Sequence, residues 1–209
     1  MSSATPSTPT SPPAAAKAGL GLRERKKLRT RQAIREAARR LIESRGYDDT
    51  TIEQIAAAAE VSVSTIFRYF PSKEHIVLTE DFAASGIERL RSRPADEPPL
   101  VALREALTGM VRELHEDYSA EYRWRRELVR TVPSVRAYMH EAQDRMIEAA
   151  SAALAERTGR AEDDLELRIL VGAMTGALHQ VLWGNHSQEG DLMKMIDRAL
   201  TVLERGLTL

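Results

Sequence analysis

The stretch VSVSTIFRYFPSKEHI, residues 61–76, decides how the whole sequence is interpreted. Its first half is typical of a short helix, because Ser62 can cap the N-terminus and Ile66 and Phe70 lie four residues apart. Together with Val61, these two side chains can anchor the helix to a core. The remaining side chains are directed away from that core or sideways, and they are small, hydroxyl-bearing, basic or aromatic: Val63, Ser64, Thr65, Phe67, Arg68 and Tyr69.

The preceding segment, TTIEQIAAAAEVS, predicts a second short helix. Thr50 and Glu53 are spaced as a capping box, which places the start of this helix near Thr51. Two helical turns are not stable alone in water, so this helix must pack between its neighbours. Two short helices joined by a tight turn around Glu60, the second with a polar and aromatic surface, are typical of a helix-turn-helix. In such a motif the second helix, hereafter the recognition helix, enters the DNA major groove.

Basic and capping residues flank this motif. A first helix is predicted from about Arg23 to Arg45, with Gly46 as its C-terminal stop. Its early turns are basic enough to lie along a phosphate backbone. Pro71 ends the recognition helix, and Ser72 can cap a further helix whose amides, with Lys73, would be placed to hold a phosphate.

Residues 28–78 resemble the DNA-binding region of the TetR family of bacterial transcriptional regulators. The resemblance is carried by RTRQAIREAARRLIESRGYDDTTIEQIAAAAEVS and STIFRYFPSKEHI and covers about a quarter of the chain. The family's recurrent positions are occupied by Thr51, Ile55, Ala56, Val61, Ser62, Thr65, Phe70, Ser72, Lys73 and Glu74.

Two positions depart from the family's pattern. Glu60 stands where the family usually has glycine, so the sequence predicts either a strained left-handed residue, at a cost of about 1 to 2 kcal/mol, or a differently wound turn. Phe67 and Tyr69 stand where the family often has Tyr and His. A hydroxyl contact to phosphate is therefore excluded at Phe67, and we expect Tyr69 to take over that contact.

Composition and charge favour a helical protein whose front part meets a polyanion. The 209 residues are rich in Ala, Leu, Arg and Glu and lack an alternating pattern long enough for a sheet, so the predicted fold class is all-α. From Leu22 to His75 there are twelve Lys and Arg against eight Asp and Glu, and from Ile76 to Leu209 seventeen against twenty-three. A helix face exposed to solvent explains any single run of charged residues as well as contact with a polyanion does. The absence of cysteine excludes disulfides, thiolate metal sites and a cysteine nucleophile.

Three parts are predicted along the chain. Residues 1–21 form a disordered tail, because their Ser, Thr and Pro cannot bury enough surface to fold and no apolar signal segment is present. Residues 22–75 form a three-helix DNA-binding domain, and residues 76–209 a helical ligand-binding and dimerisation domain. The stretch Ile169 to Gln188 falls short of the roughly 20 apolar residues that a membrane span needs and is interpreted as a buried helix. We expect a cytoplasmic protein with no membrane partner.

The rear part is expected to contain six helices with apolar stripes, which are ordinarily core. Gly172 and Gly176 would let another backbone approach the fifth of them closely. The TetR resemblance implies that the last two helices pair with their copies in a homodimer, and packing within one subunit is the alternative. The helices are predicted at about Glu74 to Leu90, Leu100 to Asp117, Glu121 to Val129, Val135 to Arg157, Asp164 to Trp183 and Leu192 to Gly206.

The resemblance also implies a repressor that binds a palindromic operator as a dimer and is released by a small-molecule effector held in the rear domain. Arg68 can grip a guanine through two hydrogen bonds, and Phe67 shares its DNA-facing surface. We assign Val63, Ser64, Thr65 and Arg68 to base edges. Phosphates are assigned to Thr51, Tyr69, Lys73 and the basic start of the first helix.

The effector site is marked only by side chains of the kind that line adaptable pockets, each of which is more often a core or interface residue. Few charges fall on the inward faces of the rear helices, so an apolar or aromatic effector is expected. The candidates are Tyr118, Tyr122, Trp124, Tyr138, Met139, Met174, His179 and Trp183.

An enzyme and an architectural protein are the alternative function classes. The five histidines show no HExxH or other metal-ligand spacing, and the sequence has no glycine-rich phosphate loop or GxSxG motif. Neither catalysis nor a cofactor or metal is therefore expected. An architectural or interaction protein would bind with weak sequence preference. The polar outward face of the recognition helix favours a sequence-specific regulator, because a packing element has no need of such a face.

Overall fold

The computed structural model describes residues 21–78, 81–184 and 191–206, without the side chains of residues 81–83 and 113–120. Over these ranges the chain forms nine helices and no strand, which confirms the all-α prediction. Except for Gly21, the predicted tail lies outside the described residues. The helices are α1 (Leu22–Arg45), α2 (Ile52–Ala58), α3 (Val63–Tyr69), α4 (Lys73–Val77), α5 (Asp81–Ser92), α6 (Pro99–Thr131), α7 (Pro133–Thr158), α8 (Leu165–Trp183) and α9 (Leu192–Arg205).

Helices α1 to α4 form an N-terminal head around one apolar cluster. Ile34, Ile55 and Ile66 are fully buried in it. Gly46 ends α1 with φ +92°, a conformation that favours glycine, and its amide donates to the Ile42 carbonyl at 2.8 Å. The same cluster includes residues from the end of α6 and the start of α7, so the core of the head crosses the predicted boundary at residue 75. These residues are Leu128, Val129, Val135 and Tyr138.

The start of α2 differs from the prediction by one residue. Thr51 is the N-cap: its hydroxyl oxygen accepts from the Gln54 amide, and the Gln54 side chain accepts from the Thr51 amide at 3.1 Å. Thr50 is instead buried, and its hydroxyl donates to the Gly46 carbonyl at 2.8 Å. The predicted Thr50–Glu53 capping box is therefore wrong, because the adjacent Thr and Gln satisfy the same motif one residue later.

Two boundaries in the rear part also differ from the prediction. The segment expected from Glu74 to Leu90 is two helices, because Leu78 has an extended backbone with φ −102° and ψ 117° and ends α4. The segments expected on either side of residues 118–120 are one helix of 33 residues, α6. No glycine or proline occurs between residues 110 and 131, so nothing interrupts its hydrogen bonding.

Helices α5 to α9 pack around a second apolar cluster. Leu103, Leu154, Ile196 and Leu200 are almost fully buried in it. A proline-rich loop lies between α5 and α6, and Arg157 of α7 donates to its Arg93 and Glu97 carbonyls at 3.0 Å each. Among the described residues, no helix combines the length and apolar content needed to cross a membrane.

One face of α8 has no neighbour among the residues that the structure describes. Leu165 and Ile169 are 69% and 59% exposed, respectively. A Cβ placed on Gly172 or Gly176 would find nothing within 4 Å. These positions lie three to four residues apart, so they form one continuous apolar and small-residue stripe along the helix.

Candidate nucleic-acid interface and ligand cavity

The recognition helix, α3, is fixed to the head from one side. Ser62 caps it as predicted, its hydroxyl oxygen accepting from the Thr65 amide at 3.1 Å. Ile66 and Phe70 are buried, with 0% and 1% of their surface exposed. The guanidinium groups of Arg31 and Arg35 on α1 lie 5.0 and 5.3 Å from the centroid of the Phe70 ring. Apolar burial and these cation–π contacts together hold α3 against α1.

The opposite side of α3 presents mixed chemistry to solvent. Ser64, Phe67 and Arg68 are exposed, and Phe67 is 52% exposed although it is aromatic. The Ser62 hydroxyl lies 2.9 Å from that of Ser64. The Arg68 guanidinium lies 5.1 Å from the centroid of the Tyr69 ring, a contact that restricts the arginine side chain. Val63, Thr65 and Tyr69 are half-buried at the edges of this face.

The turn between α2 and α3 contains a left-handed residue. Glu60 has φ +54°, so the first of the two predicted alternatives, a strained left-handed residue, holds. Two backbone hydrogen bonds close the turn. The Val61 amide donates to the Ala56 carbonyl at 3.0 Å, and the Glu60 amide donates to the Ala57 carbonyl at 3.2 Å. The helix-turn-helix geometry is therefore kept at a cost of about 1 to 2 kcal/mol in backbone strain.

Two of the three predicted phosphate contacts also have structural roles. Thr51 is exposed and its side chain belongs to the capping box of α2. The Lys73 ammonium donates to the carbonyls of Tyr47 and Thr50 at 2.7 and 2.9 Å and lies 4.0 Å from the Tyr47 ring centroid. Lys73 therefore fastens the start of α4 to the turn between α1 and α2, a role that the sequence analysis missed. Its partners lie 23 and 26 residues away along the chain and leave no local signal.

A polar cluster reinforces the same junction. Ser72 occupies the N-cap position of α4, as predicted, but its hydroxyl donates to the Glu74 carboxylate at 2.6 Å and makes no capping bond to a backbone amide. The Tyr47 hydroxyl donates to the other Glu74 oxygen at 2.8 Å. Burial raises the pKa of Glu74, but hydrogen bonds from Ser72, from its own backbone amide and from Tyr47 outweigh burial and lower that pKa to about 2. Burial and the neighbouring carboxylate raise the pKa of Tyr47.

The exposed start of α1 supplies additional positive charge beside this head. Its first two turns are solvent-exposed and carry a single acidic residue, Glu24. The exposed basic residues are Arg23, Arg25, Lys26, Lys27 and Arg29.

A cavity of about 910 Å³ lies between α5, α6, α7 and α8. Its walls are mainly apolar, with contributions from α5 (Ile87), α6 (Met110), α7 (Met146) and α8 (Leu178). Five of the eight effector candidates from the sequence line it: Tyr122, Tyr138, Met139, His179 and Trp183. A cleft of this size, lined mainly by apolar side chains from four helices, is typical of a small-molecule site.

Two of the other three candidates pack elsewhere among the described residues. Trp124 packs against the head cluster, with the Arg39 guanidinium 5.7 Å from its ring. Met174 is buried in the rear core. The side chain of Tyr118 lies outside the described residues.

Arg125, a charged residue of the cavity wall, was missed by the sequence analysis. It is only 5% exposed, and its guanidinium donates to Glu121 one turn earlier on α6. Its spacing of three residues from Tyr122 places both on one face of α6, which is the only local signal for this position. Burial, and after it the charge of His140, lowers the pKa of His179, whose ring lies 5.4 Å from that of His140.

The cavity and the head share part of a wall. Tyr138 and Leu78 both line the cavity and both belong to the buried core of the head. The Tyr138 ring lies 4.5 Å from the His75 ring on α4, at an angle of 51°. A molecule in the cavity would therefore lie one side chain away from α4.

Known families match both halves of this arrangement. Residues 34–79 match the profile described as bacterial regulatory proteins of the tetR family. Residues 97–208, more than half of the chain, match the MftR C-terminal domain. The chain belongs to the TetR family. Members of this family are DNA-binding transcription factors and not enzymes, in agreement with the sequence analysis.

Individual TetR-family relatives resemble this chain to different extents. It is 35% identical over 161 residues to the HTH-type transcriptional regulator TcmR of Streptomyces glaucescens. The aligned region covers 76% of this chain and 63% of TcmR. It is 32% identical over 90 residues to the HTH-type transcriptional repressor KstR of Rhodococcus jostii, and this aligned region covers 42% of each protein. The chain thus spans less than two thirds of the length of these curated relatives.

A solved TetR-family structure extends the similarity to most of the chain. The transcriptional repressor FadR of Thermus thermophilus, solved in complex with lauroyl-CoA, is 26% identical, with a TM-score of 0.54. The match covers 86% of this chain and 95% of that one. FadR of Bacillus halodurans, at 21% identity, has the same TM-score and supports the fold alone.

Proposed function

We propose that this chain is a transcriptional repressor that binds a palindromic operator as a homodimer and releases it when a small molecule fills the cavity. The observation that carries the proposal is the recognition helix, which is anchored by buried side chains and presents an arginine, a serine and an aromatic ring to solvent. Family membership supports the same function, as does the similarity to KstR and the Thermus FadR, which are both repressors. A regulator of this kind acts in the cytoplasm.

Contacts to DNA divide into base-reading and positioning groups. Arg68 would read a guanine, with Ser64, Thr65 and Val63 beside it, and Phe67 would contact a thymine methyl group because its ring is exposed and apolar. Tyr69, Thr51 and the basic start of α1 would hold phosphates without reading sequence. Lys73 uses two of its three N–H groups within the protein, so at most one remains for a phosphate.

The homodimer would form through the uncovered stripe on α8, together with the outer face of α9, where Val202 is 44% exposed. Glycines at positions 172 and 176 would allow two α8 helices to approach closely. Two-fold symmetry would then place two recognition helices on half-sites one helical turn of DNA, or a multiple of it, apart.

The effector would combine an apolar body with a group that accepts hydrogen bonds. The apolar walls favour the body, as the sequence analysis expected. The accepting group is suggested by Arg125, because a guanidinium in the cavity wall can donate hydrogen bonds to a carboxylate, phosphate or carbonyl of a bound molecule. Lauroyl-CoA, bound by the Thermus FadR, has both parts, an acyl chain and a polar head.

Selection of the purified chain against random DNA duplexes, at about 0.15 M salt, tests the DNA-binding proposal. We expect a palindrome to be enriched. Arg68→Ala should cost about 1 to 3 kcal/mol in binding and relax preference at one operator position per half-site. Arg112→Ala on α6 is the matched control, since it removes the same charge from an exposed position far along the chain.

Binding without enrichment of any sequence would support the architectural alternative and contradict the proposal. Uniform loss of affinity by Arg68→Ala across all sequences would show that Arg68 positions the protein and does not read a base. Once an operator is found, small molecules can be screened for its release.

A further inference from the structure

One aromatic side chain belongs to both functional regions of the molecule. Tyr138 is 7% exposed, lines the cavity and is part of the buried core of the head. Arg145, which also lines the cavity, has its guanidinium 5.5 Å from the Tyr138 ring centroid, and the His75 ring of α4 is 4.5 Å away. When a molecule fills the cavity beside this ring, the ring can move only against its packed neighbours.

Hydrogen bonds continue from His75 through α4. His75 Nδ1 lies 3.0 Å from the Ser72 hydroxyl oxygen. Because that hydroxyl donates its one proton to Glu74 at 2.6 Å, it accepts from Nδ1–H of His75. Glu74 in turn accepts from the Tyr47 hydroxyl at 2.8 Å. Each of these bonds joins α4 to itself or to the turn between α1 and α2.

The last link reaches the helix-turn-helix. Lys73 donates to the carbonyl of Thr50, the residue immediately before the N-cap of α2. The start of α4 and the start of α2 are thus fastened together by Lys73, Glu74 and Tyr47. A displacement of His75 would be transmitted to α2 and, through the short turn, to the recognition helix.

We propose that Tyr138 is the residue through which occupancy of the cavity changes the affinity for DNA, by moving its ring against His75. The inference rests on the proposed function and names the positioning residues that couple its two sites. Leu78 also lines the cavity and directly follows α4, where its amide donates to the Glu74 carbonyl at 2.7 Å, so a backbone contact to α4 exists beside the side-chain contact through Tyr138. The ring contact between Tyr138 and His75 joins a side chain of the cavity wall to a side chain of the polar cluster.

Cavity-filling substitutions test this coupling without a known effector. Ala142 lines the cavity one turn after Tyr138 on α7, and Ala149 lines it about 10 Å further along the same helix. Ala142→Phe should lower operator affinity by at least about 5-fold, the lower end of typical coupling between two sites. Ala149→Phe, the control, introduces the same side chain at an exposed position of the cavity rim away from Tyr138 and should change affinity little.

The same substitution is then repeated in a His75→Ala background and in a Tyr138→Leu background. If the ring contact transmits the effect, Ala142→Phe should change affinity little in either background, a non-additivity that purely local damage would not produce. Fluorescence anisotropy of labelled operator provides the affinity, and thermal unfolding confirms that each full-length variant is folded. Ala142→Leu, a smaller filling with the same expected direction, replaces Ala142→Phe if the latter does not fold.

Equal effects of the two fillings, or an undiminished effect of Ala142→Phe after His75→Ala, would overturn the inference. Either result would leave operator binding by the unaltered chain intact. The proposed function fails on a different observation, namely that the unaltered chain selects no operator. The two failures are therefore distinguishable.

Discussion

At the scale of single residues, Glu60 shows strain that the helix-turn-helix tolerates. Its φ of +54° is unfavourable for a residue with a Cβ, and only glycine adopts it freely. We expect Glu60→Gly to raise the free energy of unfolding by about 1 kcal/mol, because relief of strain exceeds the added flexibility of the unfolded chain. Urea unfolding measures this change as a higher midpoint with an unchanged slope.

Glu60→Ala separates strain from the loss of the carboxylate. Alanine keeps the Cβ and therefore the strain, so its free energy of unfolding should stay close to that of the unaltered chain. Equal stabilisation by glycine and alanine would show that the carboxylate, and not the backbone, is unfavourable in this turn.

At the scale of helices, the junction between α4 and the α1–α2 turn depends on an ionised Glu74. Its pKa is lowered to about 2 in the folded chain, from 4.5 ordinarily, since the folded state stabilises the charged form. Stability from this group is therefore fully present above the unfolded pKa and is lost as pH falls from about 4.5 towards 2. Glu74→Gln should be less stable than the unaltered chain at pH 7, with a difference that shrinks across this window.

Urea unfolding at several pH values measures that difference. Glu148→Gln, at an exposed position on α7, is the control and should show no comparable dependence on pH. A difference in the free energy of unfolding that stays constant from pH 7 to below the folded-state pKa of about 2 would contradict the role assigned to the Glu74 carboxylate.

Helices were predictable from the sequence where the signal is local. Spacing and capping correctly placed α1, the recognition helix and its anchors Ile66 and Phe70. The start of α2 was missed by one residue because adjacent threonines offer two registers for one motif. The continuity of α6 was missed although no glycine or proline interrupts it, since polar residues alone do not end a helix that tertiary packing supports.

Contacts between distant segments were not predictable. Nothing near Lys73 in the sequence indicates that it donates to carbonyls in the turn between α1 and α2. In the same way, nothing near Tyr138 indicates that His75 is its neighbour. The cavity was partly foreseen, since five aromatic and soft side chains converge on it. Arg125 was not, because a charged residue on a helix is ordinarily exposed and only the packing of four helices buries it.

At the scale of the whole molecule, the uncovered stripe on α8 leads to a prediction about assembly. Ile169 is 59% exposed in the single chain, so a charge there should not disturb the fold. If two copies meet along this stripe, Ile169→Glu places two buried like charges near the two-fold axis and should convert the dimer to monomer. Sedimentation of the purified chain measures the mass, and operator binding should weaken in parallel because a monomer engages only one half-site.

Val101→Glu is the matched control for that substitution. Val101 is also an exposed β-branched residue, 41% exposed, and lies on α6 outside the stripe, so its variant should remain dimeric and bind operator normally. A folded Ile169→Glu variant that stays dimeric would exclude the α8 stripe as the interface. A monomeric variant with unchanged operator affinity would instead show that one head is enough for binding, which would contradict the proposal of a palindromic operator.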